Sequence, residues 1–190
     1  FSQDGRRIAA GAEDGAVAVW TLDGKTPTIR LPGHKSNVTA IQFLAGGERL
    51  LTACRDGSLA LWEITSGKAL GAMPGTVGPI RGMASSGSRI ALAGNQLRLR
   101  HGDGSFVNFS GNSGPVECVA VSPGRRHLLA GGNDGSVLLW QADLPTPVEE
   151  FPKHPSKTRA VAFASDGKSV FSAGDDGLIR RCWPKTPGLV

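Results

Sequence analysis

The sequence predicts an all-β protein built from a repeated antiparallel sheet of four strands, and three observations support this prediction. Gly and Pro account for 27 and 12 of the 190 residues. Few stretches as long as three helical turns therefore lack a helix-breaking residue, so a helical protein is not expected. Asp-Gly turns begin at Asp14, Asp56, Asp134 and Asp176, with gaps of 42, 78 and 42 residues. Short apolar runs with alternating polarity lie between these turns, as they do in strands joined by hairpins.

The turns mark a repeat of about 40 residues. The gap of 78 residues is two periods of 39, and Asn95 stands midway in it. The four Asp-Gly turns and Asn95 give five marks of the repeat. A tryptophan lies six residues after three of them; these are Trp20, Trp62 and Trp140. At the fifth mark this position holds Cys182, and Trp183 follows one place late. The register of the repeat is therefore visible in both the turns and the aromatic residues.

A second apolar pattern has the same period. Apolar residues spaced i, i+3 and i+5 start at Val38 and Val116; further copies start at Ile80, with Ser85 in the last position, and at Thr158, and Phe1 ends a truncated copy. The repeats divide the chain into units of residues 1–32, 33–74, 75–111, 112–152 and 153–190. In the second unit the predicted strands are Val38–Leu44, Arg49–Cys54, Ser58–Glu63 and Lys68–Met73. Four strands in so few residues leave no room for a crossover helix.

Composition limits the possible functions. The net charge is +5, but the longest basic runs are pairs and aromatic residues make up only 6%, so we expect no specific nucleic-acid surface. The sequence has no run of about 18 apolar residues, so we expect no membrane span. Cys54, Cys118 and Cys182 form no CxxC pair, which fits a reducing compartment, and we expect the cytoplasm.

Motifs for catalysis and cofactor binding are missing. The four histidines do not have metal-ligand spacing, and there is no G-x-S-x-G motif. The string Gly167-Lys168-Ser169 lacks the earlier glycine of a phosphate-binding loop, since Ala162 occupies that position. We therefore expect no catalytic residue, no metal and no cofactor.

Taken together, these residues resemble the WD-repeat β-propeller family. Gly33-His34 opens the second unit, and Asp56-Gly57 precedes Trp62 with the family spacing, although no unit ends in a Trp-Asp dipeptide. The resemblance implies a β-propeller of four-stranded antiparallel blades, one blade for each unit. We expect about four and a half blades, with the first and last incomplete. They would belong to a seven-bladed ring whose other blades lie upstream in the same chain.

The resemblance also implies a structural tetrad of His, Ser or Thr, Asp and Trp inside a blade. The matching residues are His34, Thr52, Asp56 and Trp62 in the second unit and His154, Ser172 and Asp176 in the fifth. We expect Asp56 to be buried and to bond to His34. In the fifth unit, either a bulge brings Trp183 into register or the tetrad is incomplete. Ser, His and Asp can also form a catalytic set, but their recurrence by unit favours a structural role.

The function implied by the resemblance is a non-enzymatic interaction module, a scaffold that binds protein or peptide through propeller faces. Its candidate partner-binding residues are Glu13, Lys35, Asn37, Arg55, Asn133, Lys157, Arg159 and Asp175. We expect Lys35, Arg55, Lys157 and Arg159 to form a basic lobe that favours acidic peptides.

One alternative remains open. The chain could be the binding or sensing propeller of a larger multidomain enzyme or signalling protein, with its catalytic part upstream. A propeller enzyme such as a metal-dependent lactonase is not expected within these residues, because Glu117 is the single acidic residue in the predicted innermost strands.

Overall fold

The structure, a computed structural model, describes residues 1–25, 28–44, 46–73, 75–76 and 78–185. These residues form eighteen strands and no helix, so the described part of the chain holds no helix that could cross a membrane. The chain divides into two compact units, Phe1–Ile80 and Arg81–Val190.

The first compact unit contains seven strands: β1 (Arg7–Gly11), β2 (Val17–Thr21), β3 (Ile29–Leu31), β4 (Val38–Phe43), β5 (Arg49–Cys54), β6 (Leu59–Glu63) and β7 (Lys68–Met73). The second contains eleven: β8 (Gly82–Ser86), β9 (Arg89–Ala93), β10 (Leu97–Arg100), β11 (Phe106–Phe109), β12 (Val116–Val121), β13 (His127–Gly132), β14 (Val137–Gln141), β15 (Glu149–Phe151), β16 (Thr158–Phe163), β17 (Val170–Gly174) and β18 (Ile179–Cys182).

The strands form five antiparallel sheets in which each strand pairs with its neighbours in the chain. The first sheet is β1-β2-β3, the second β4 to β7, the third β8 to β11, the fourth β12 to β15 and the fifth β16-β17-β18. The prediction of repeated four-stranded antiparallel sheets, with the first and last incomplete, is confirmed for the described residues. In the second sheet the predicted and observed strand bounds differ by at most one residue.

Each complete sheet has strands a, b, c and d in chain order; the first sheet has b, c and d, and the fifth has a, b and c. Because neighbouring strands are antiparallel, the b–c turn and the loop before strand a lie at one end of a sheet, here called the b–c edge. The a–b and c–d turns lie at the other end, here called the a–b edge. This arrangement decides which side chains can meet at a candidate site.

Within each compact unit, sheets stack face to face through alternating residues. In the first unit, Val19 packs with Leu50 and Trp62. In the second, Leu128 faces a cluster with Phe109 and Trp140, while the next residue, Leu129, faces a cluster with Phe151 and Val170. Successive side chains of a strand point to opposite faces, so the fourth sheet is buried on both sides.

Three of the four Asp-Gly turns, at Gly15, Gly57 and Gly135, need glycine for a steric reason. Gly135 has φ +82°, and a Cβ there would lie 2.0 Å from the carbonyl oxygen of His154. The neighbouring Asp134 Oδ1 accepts a hydrogen bond of 3.1 Å from the backbone N–H of Ser136. Such Asp-anchored turns favour the αL conformation at the glycine, and they hold the b–c edge in a fixed shape.

Candidate functional site

The second sheet holds a chain of polar contacts around Thr52. The indole Nε1 of Trp62 donates to Thr52 Oγ1 at 2.8 Å, and His34 Nε2 lies 2.5 Å from the same oxygen. The His34 and Trp62 rings meet edge to face, with centroids 6.0 Å apart. Thr52 and Trp62 are buried and His34 is half-buried, so these contacts satisfy polar groups that water reaches poorly.

Asp56 departs from the sequence-based expectation, because it is exposed and its bond to His34 is replaced by a relay through Ser58. The Ser58 hydroxyl donates to Asp56 Oδ1 at 2.6 Å and lies 3.2 Å from His34 Nδ1. Since that hydroxyl hydrogen points to the carboxylate, the oxygen accepts from His34 Nδ1–H. The physical reason for the difference is the short Asp-Gly-Ser turn, which places a second hydroxyl between the two predicted partners.

The electrostatics of the second sheet favour a neutral His34. Burial lowers the pKa of His34, and the nearby charge of Asp56 only partly opposes this shift. Hydrogen bonds from the side chain and the backbone of Ser58 lower the pKa of Asp56. The result is a charged carboxylate at the surface end of the relay and a neutral imidazole inside it.

The fifth sheet has the direct histidine–carboxylate bond that the second lacks. His154 Nδ1 lies 2.9 Å from Asp176 Oδ1, and its Nε2 lies 2.9 Å from Ser172 Oγ. Arg180, opposite Ser172 on β18, donates to Asp176 Oδ2 at 2.9 Å. Burial alone would raise the pKa of Asp176, but the hydrogen bonds from His154 and Arg180 outweigh it and lower this pKa to about 2.

Trp183 does not join this group. Strands β17 and β18 pair without a register shift, and Val170 lies opposite Cys182 where Leu50 lies opposite Trp62 in the second sheet. Of the two alternatives left by the sequence, the bulge is therefore absent and the tryptophan is missing from the group. Trp183 is 64% exposed and stacks on the guanidinium of Arg181 at 5.1 Å.

The fourth sheet lacks the hydroxyl of Thr52, and its tryptophan bonds to a backbone carbonyl instead. Ala130 replaces Thr52, and Trp140 Nε1 instead donates to the carbonyl oxygen of Ser110 at 3.0 Å. Asn112 occupies the histidine position, 22 residues before Asp134. Its Nδ2 donates to Ser136 Oγ at 3.4 Å, and Ser136 Oγ donates to Asp134 at 2.6 Å. An Asp-Gly-Ser relay thus recurs without a histidine.

These polar groups are engaged inside the sheets. The His154 side chain is fully buried, and Ser172 is 5% exposed, so the Ser–His–Asp set of the fifth sheet has no open face toward a substrate. Among the described residues, no group of three or more His, Cys, Asp or Glu side chains is placed to hold a metal ion.

The predicted partner-binding residues lie at the b–c edges of the sheets. In the first compact unit, Glu13, Lys35 and Arg55 are exposed and Asn37 is half-buried. The backbone N–H of Arg55 donates to the carbonyl oxygen of Asn37 at 2.9 Å. This bond ties the b–c turn of the second sheet to the loop that precedes its strand a.

The second compact unit repeats this tie and adds an ion pair. The N–H of Asn133 donates to Pro115 O at 2.8 Å, and that of Asp175 donates to Lys157 O at 2.9 Å. Arg159 forms a two-pronged bond to Asp175, with Nε–Oδ1 at 2.6 Å and Nη2–Oδ2 at 2.9 Å. Asp175 therefore compensates the charge of Arg159, which the basic-lobe hypothesis counted as free.

The sequence reasoning missed Ser58, Ser136 and Arg180. The serines had a visible signal, because Asp-Gly-Ser occurs at positions 56–58 and again at 134–136. Arg180 had none, since Ala60 and Leu138 occupy the same position in the second and fourth sheets.

Comparison with known families decides the assignment. The WD40 family, described as WD domain, G-beta repeat, matches residues 1–21, 25–63, 104–141 and 145–180. The chain belongs to the WD-repeat family. Each sheet is therefore a propeller blade, as the sequence predicted. The family model does not match the region between residues 63 and 104, which contains most of the third sheet and has Asn95 where the other units have an Asp-Gly turn.

Curated relatives are similar over most of this WD-repeat chain. The guanine nucleotide-binding protein subunit beta of Zea mays is 25% identical over 95% of the chain and 42% of its own length. Periodic tryptophan protein 2 of Arabidopsis thaliana is 27% identical over 100% of the chain and 22% of its own length. NACHT domain- and WD repeat-containing protein 1 of Mus musculus is 26% identical over 100% of the chain and 14% of its own length. The chain spans less than half the length of each.

Proposed function

We propose that this WD-repeat chain is a non-enzymatic interaction module that binds protein or peptide partners through the b–c edges of its blades. The observation that carries the proposal is the repeated tie between turn and loop at Arg55, Asn133 and Asp175. Loops held by backbone hydrogen bonds lose little conformational entropy on binding, so they suit recognition.

The first compact unit has two cationic side chains at its b–c edges that are candidates for binding an acidic partner, beside the exposed carboxylates of Glu13, Asp14 and Asp56. Lys35 and Arg55 are exposed, and neither side chain has an ion-pair partner among the described residues. In the second unit, by contrast, the pair with Asp175 occupies Arg159, and Lys157 is half-buried. Of the four residues proposed as a basic lobe, Lys35 and Arg55 are therefore the ones free to attract a carboxylate.

A test is the double charge reversal Lys35→Glu with Arg55→Glu, measured against a protein partner captured with the wild-type chain. We expect the affinity to fall about tenfold or more, mainly through slower association and a weaker dependence on salt. The matched control reverses Arg6 and Lys68, which are exposed at the a–b edge of the same unit, and should change the affinity less than twofold. Equal losses in both variants, or no loss in either, would count against the proposed surface.

A second reading is that the chain is the binding or sensing part of a larger multidomain enzyme or signalling protein, with its catalytic part upstream. It is favoured by the similarity to a mouse protein whose name includes a NACHT domain beside its WD repeats. Sequencing the full gene separates the two readings, because an upstream catalytic motif would support the second. For either reading we propose a cytoplasmic location, which the three unpaired cysteines support; cell fractionation tests it.

A further inference from the structure

One a–b turn contains an arginine in a backbone conformation that favours glycine. Arg125 has φ +63° and is the one residue other than glycine with positive φ in the described part of the chain. The same turn position in the other four blades is glycine, with φ between 62° and 68°: Gly5, Gly47, Gly87 and Gly167. An L-residue in this region is strained, and strain kept at a surface turn is a reason to look for function there.

The turn holds Arg125 firmly at the surface. Its N–H donates to the carbonyl oxygen of Ser122 at 2.9 Å, and the N–H of His127 donates to Ser122 Oγ at 3.2 Å. Arg125 and Arg126 are both exposed. Within the described residues, neither guanidinium has an ion-pair partner.

A third arginine lies next to this turn, on the neighbouring blade of the same compact unit. The Arg125 guanidinium reaches over the a–b turn of the third sheet, because a Cβ on Gly87 would lie 3.6 Å from Arg125 Nη1. Arg89 follows two residues later and makes only a loose contact of 3.8 Å with the exposed Asp143. Of these three arginines, only Arg89 has a carboxylate contact among the described residues; Arg89, Arg125 and Arg126 are here called the arginine cluster.

We propose that the arginine cluster is a second binding surface, at the a–b edge, for the carboxylates of an acidic protein segment. Guanidinium groups form two-pronged, charge-assisted bonds with carboxylates, and the turn presents two of them side by side without internal partners. A single-stranded nucleic acid is less suited, because none of the three residues is an aromatic on which a base could stack. This surface lies at the a–b edge and the surface proposed for protein partners lies at the b–c edge, so each proposal is tested independently of the other.

The test measures fluorescence anisotropy of a labelled peptide of alternating Glu and Gly with the whole chain at low ionic strength. We expect Arg125→Gly and Arg126→Gln each to weaken binding about tenfold, while Arg125→Lys keeps most of it. Arg125→Gly should also raise the melting temperature by about 2–4 °C, because it relieves the backbone strain. Loss of binding together with a gain in stability cannot come from unfolding.

The matched control is Lys168→Gln, which removes one charge at the turn position of the fifth sheet that corresponds to Arg126. It should change the affinity less than twofold, and a peptide of alternating Gln and Gly should not bind. Three results would overturn the proposal: equal losses from Lys168→Gln and Arg126→Gln, unchanged binding by Arg125→Gly, or tighter binding of single-stranded RNA that the same variants abolish.

Discussion

Thr52 links the polar groups of the second blade, and Asp56 only closes the chain at its surface end. Two ring nitrogens, from Trp62 and His34, contact the Thr52 hydroxyl, and the residue is fully buried. Asp56 is exposed and contacts Ser58. Water can replace a lost partner at Asp56 but not at Thr52, so the two positions should differ in their contribution to stability.

We predict that Thr52→Ala lowers the free energy of unfolding by about 1–3 kcal/mol, because it leaves the buried Trp62 indole N–H and a ring nitrogen of the half-buried His34 without a partner. Asp56→Ala should cost about 1 kcal/mol or less. Urea titration of both variants is the measurement, and the exposed Thr65→Ala is the control, expected within about 0.5 kcal/mol of wild type. Equal costs for Thr52→Ala and Asp56→Ala would contradict this description of the relay.

Asp176 should make the stability of the chain sensitive to acid. Its pKa is lowered from 3.8 to about 2 in the folded chain, so the unfolded state takes up more protons as the pH falls between these values. The free energy of unfolding therefore decreases across this window, and the contribution is fully present above it. We predict that Asp176→Asn gives a shallower decrease between pH 4 and pH 2 in urea titrations. An unchanged slope would show that His154 and Arg180 do not hold this carboxylate in its charged form.

The resemblance to the WD-repeat family was sufficient to find some of these residues and not others. His34, Thr52 and Trp62 could be placed because they match the family's tetrad, and strand alternation puts Thr52 and Trp62 on one face. The bond between Asp56 and His34 could not be judged in the same way. Whether a carboxylate reaches a histidine directly or through a hydroxyl depends on tenths of an ångström within a turn, and residue spacing does not record this.

At the scale of strands, one residue of register separates a buried tryptophan from an exposed one. Trp140 lies opposite Leu128 on β13 and is fully buried, with its indole bonded to Ser110. Trp183 lies one place beyond the equivalent position and is 64% exposed. A shift of one residue turns a side chain to the other face of a sheet, which is why the late tryptophan noted in the sequence has a different environment.

We predict that Trp140→Ala lowers the free energy of unfolding by about 3–5 kcal/mol, through lost packing and an unpaired carbonyl. Trp183→Ala should cost about 1 kcal/mol or less, since its stacking on Arg181 is solvent-exposed. The two variants make the same chemical change, and chemical denaturation followed by circular dichroism compares them. Similar costs would mean that Trp183 packs against protein in solution.

For the whole molecule, the alternation of apolar residues predicts the strands in more of the chain than the polar motifs do. The third sheet lies mostly outside the residues matched by the WD40 family, yet it forms four strands. Its Leu97 and Leu99 are buried with Trp140 of the fourth sheet. The number and order of strands could therefore be predicted from the sequence alone. The charge compensation of Arg159 by Asp175 could not, because it depends on how two segments meet at one edge. The seven-bladed ring stays a prediction.

The central claim is that the b–c edges bind protein, and hydrogen exchange of the whole chain with and without a captured partner tests it most directly. We predict slower amide exchange in residues 33–37 and 55–58, or in residues 153–159 and 175–178, when the partner is bound. The a–b turn at residues 164–169 of the fifth sheet, which lies outside the arginine cluster, serves as the internal comparison from the opposite edge. Protection confined to that turn, or no protection at any b–c edge with any partner, would contradict the account.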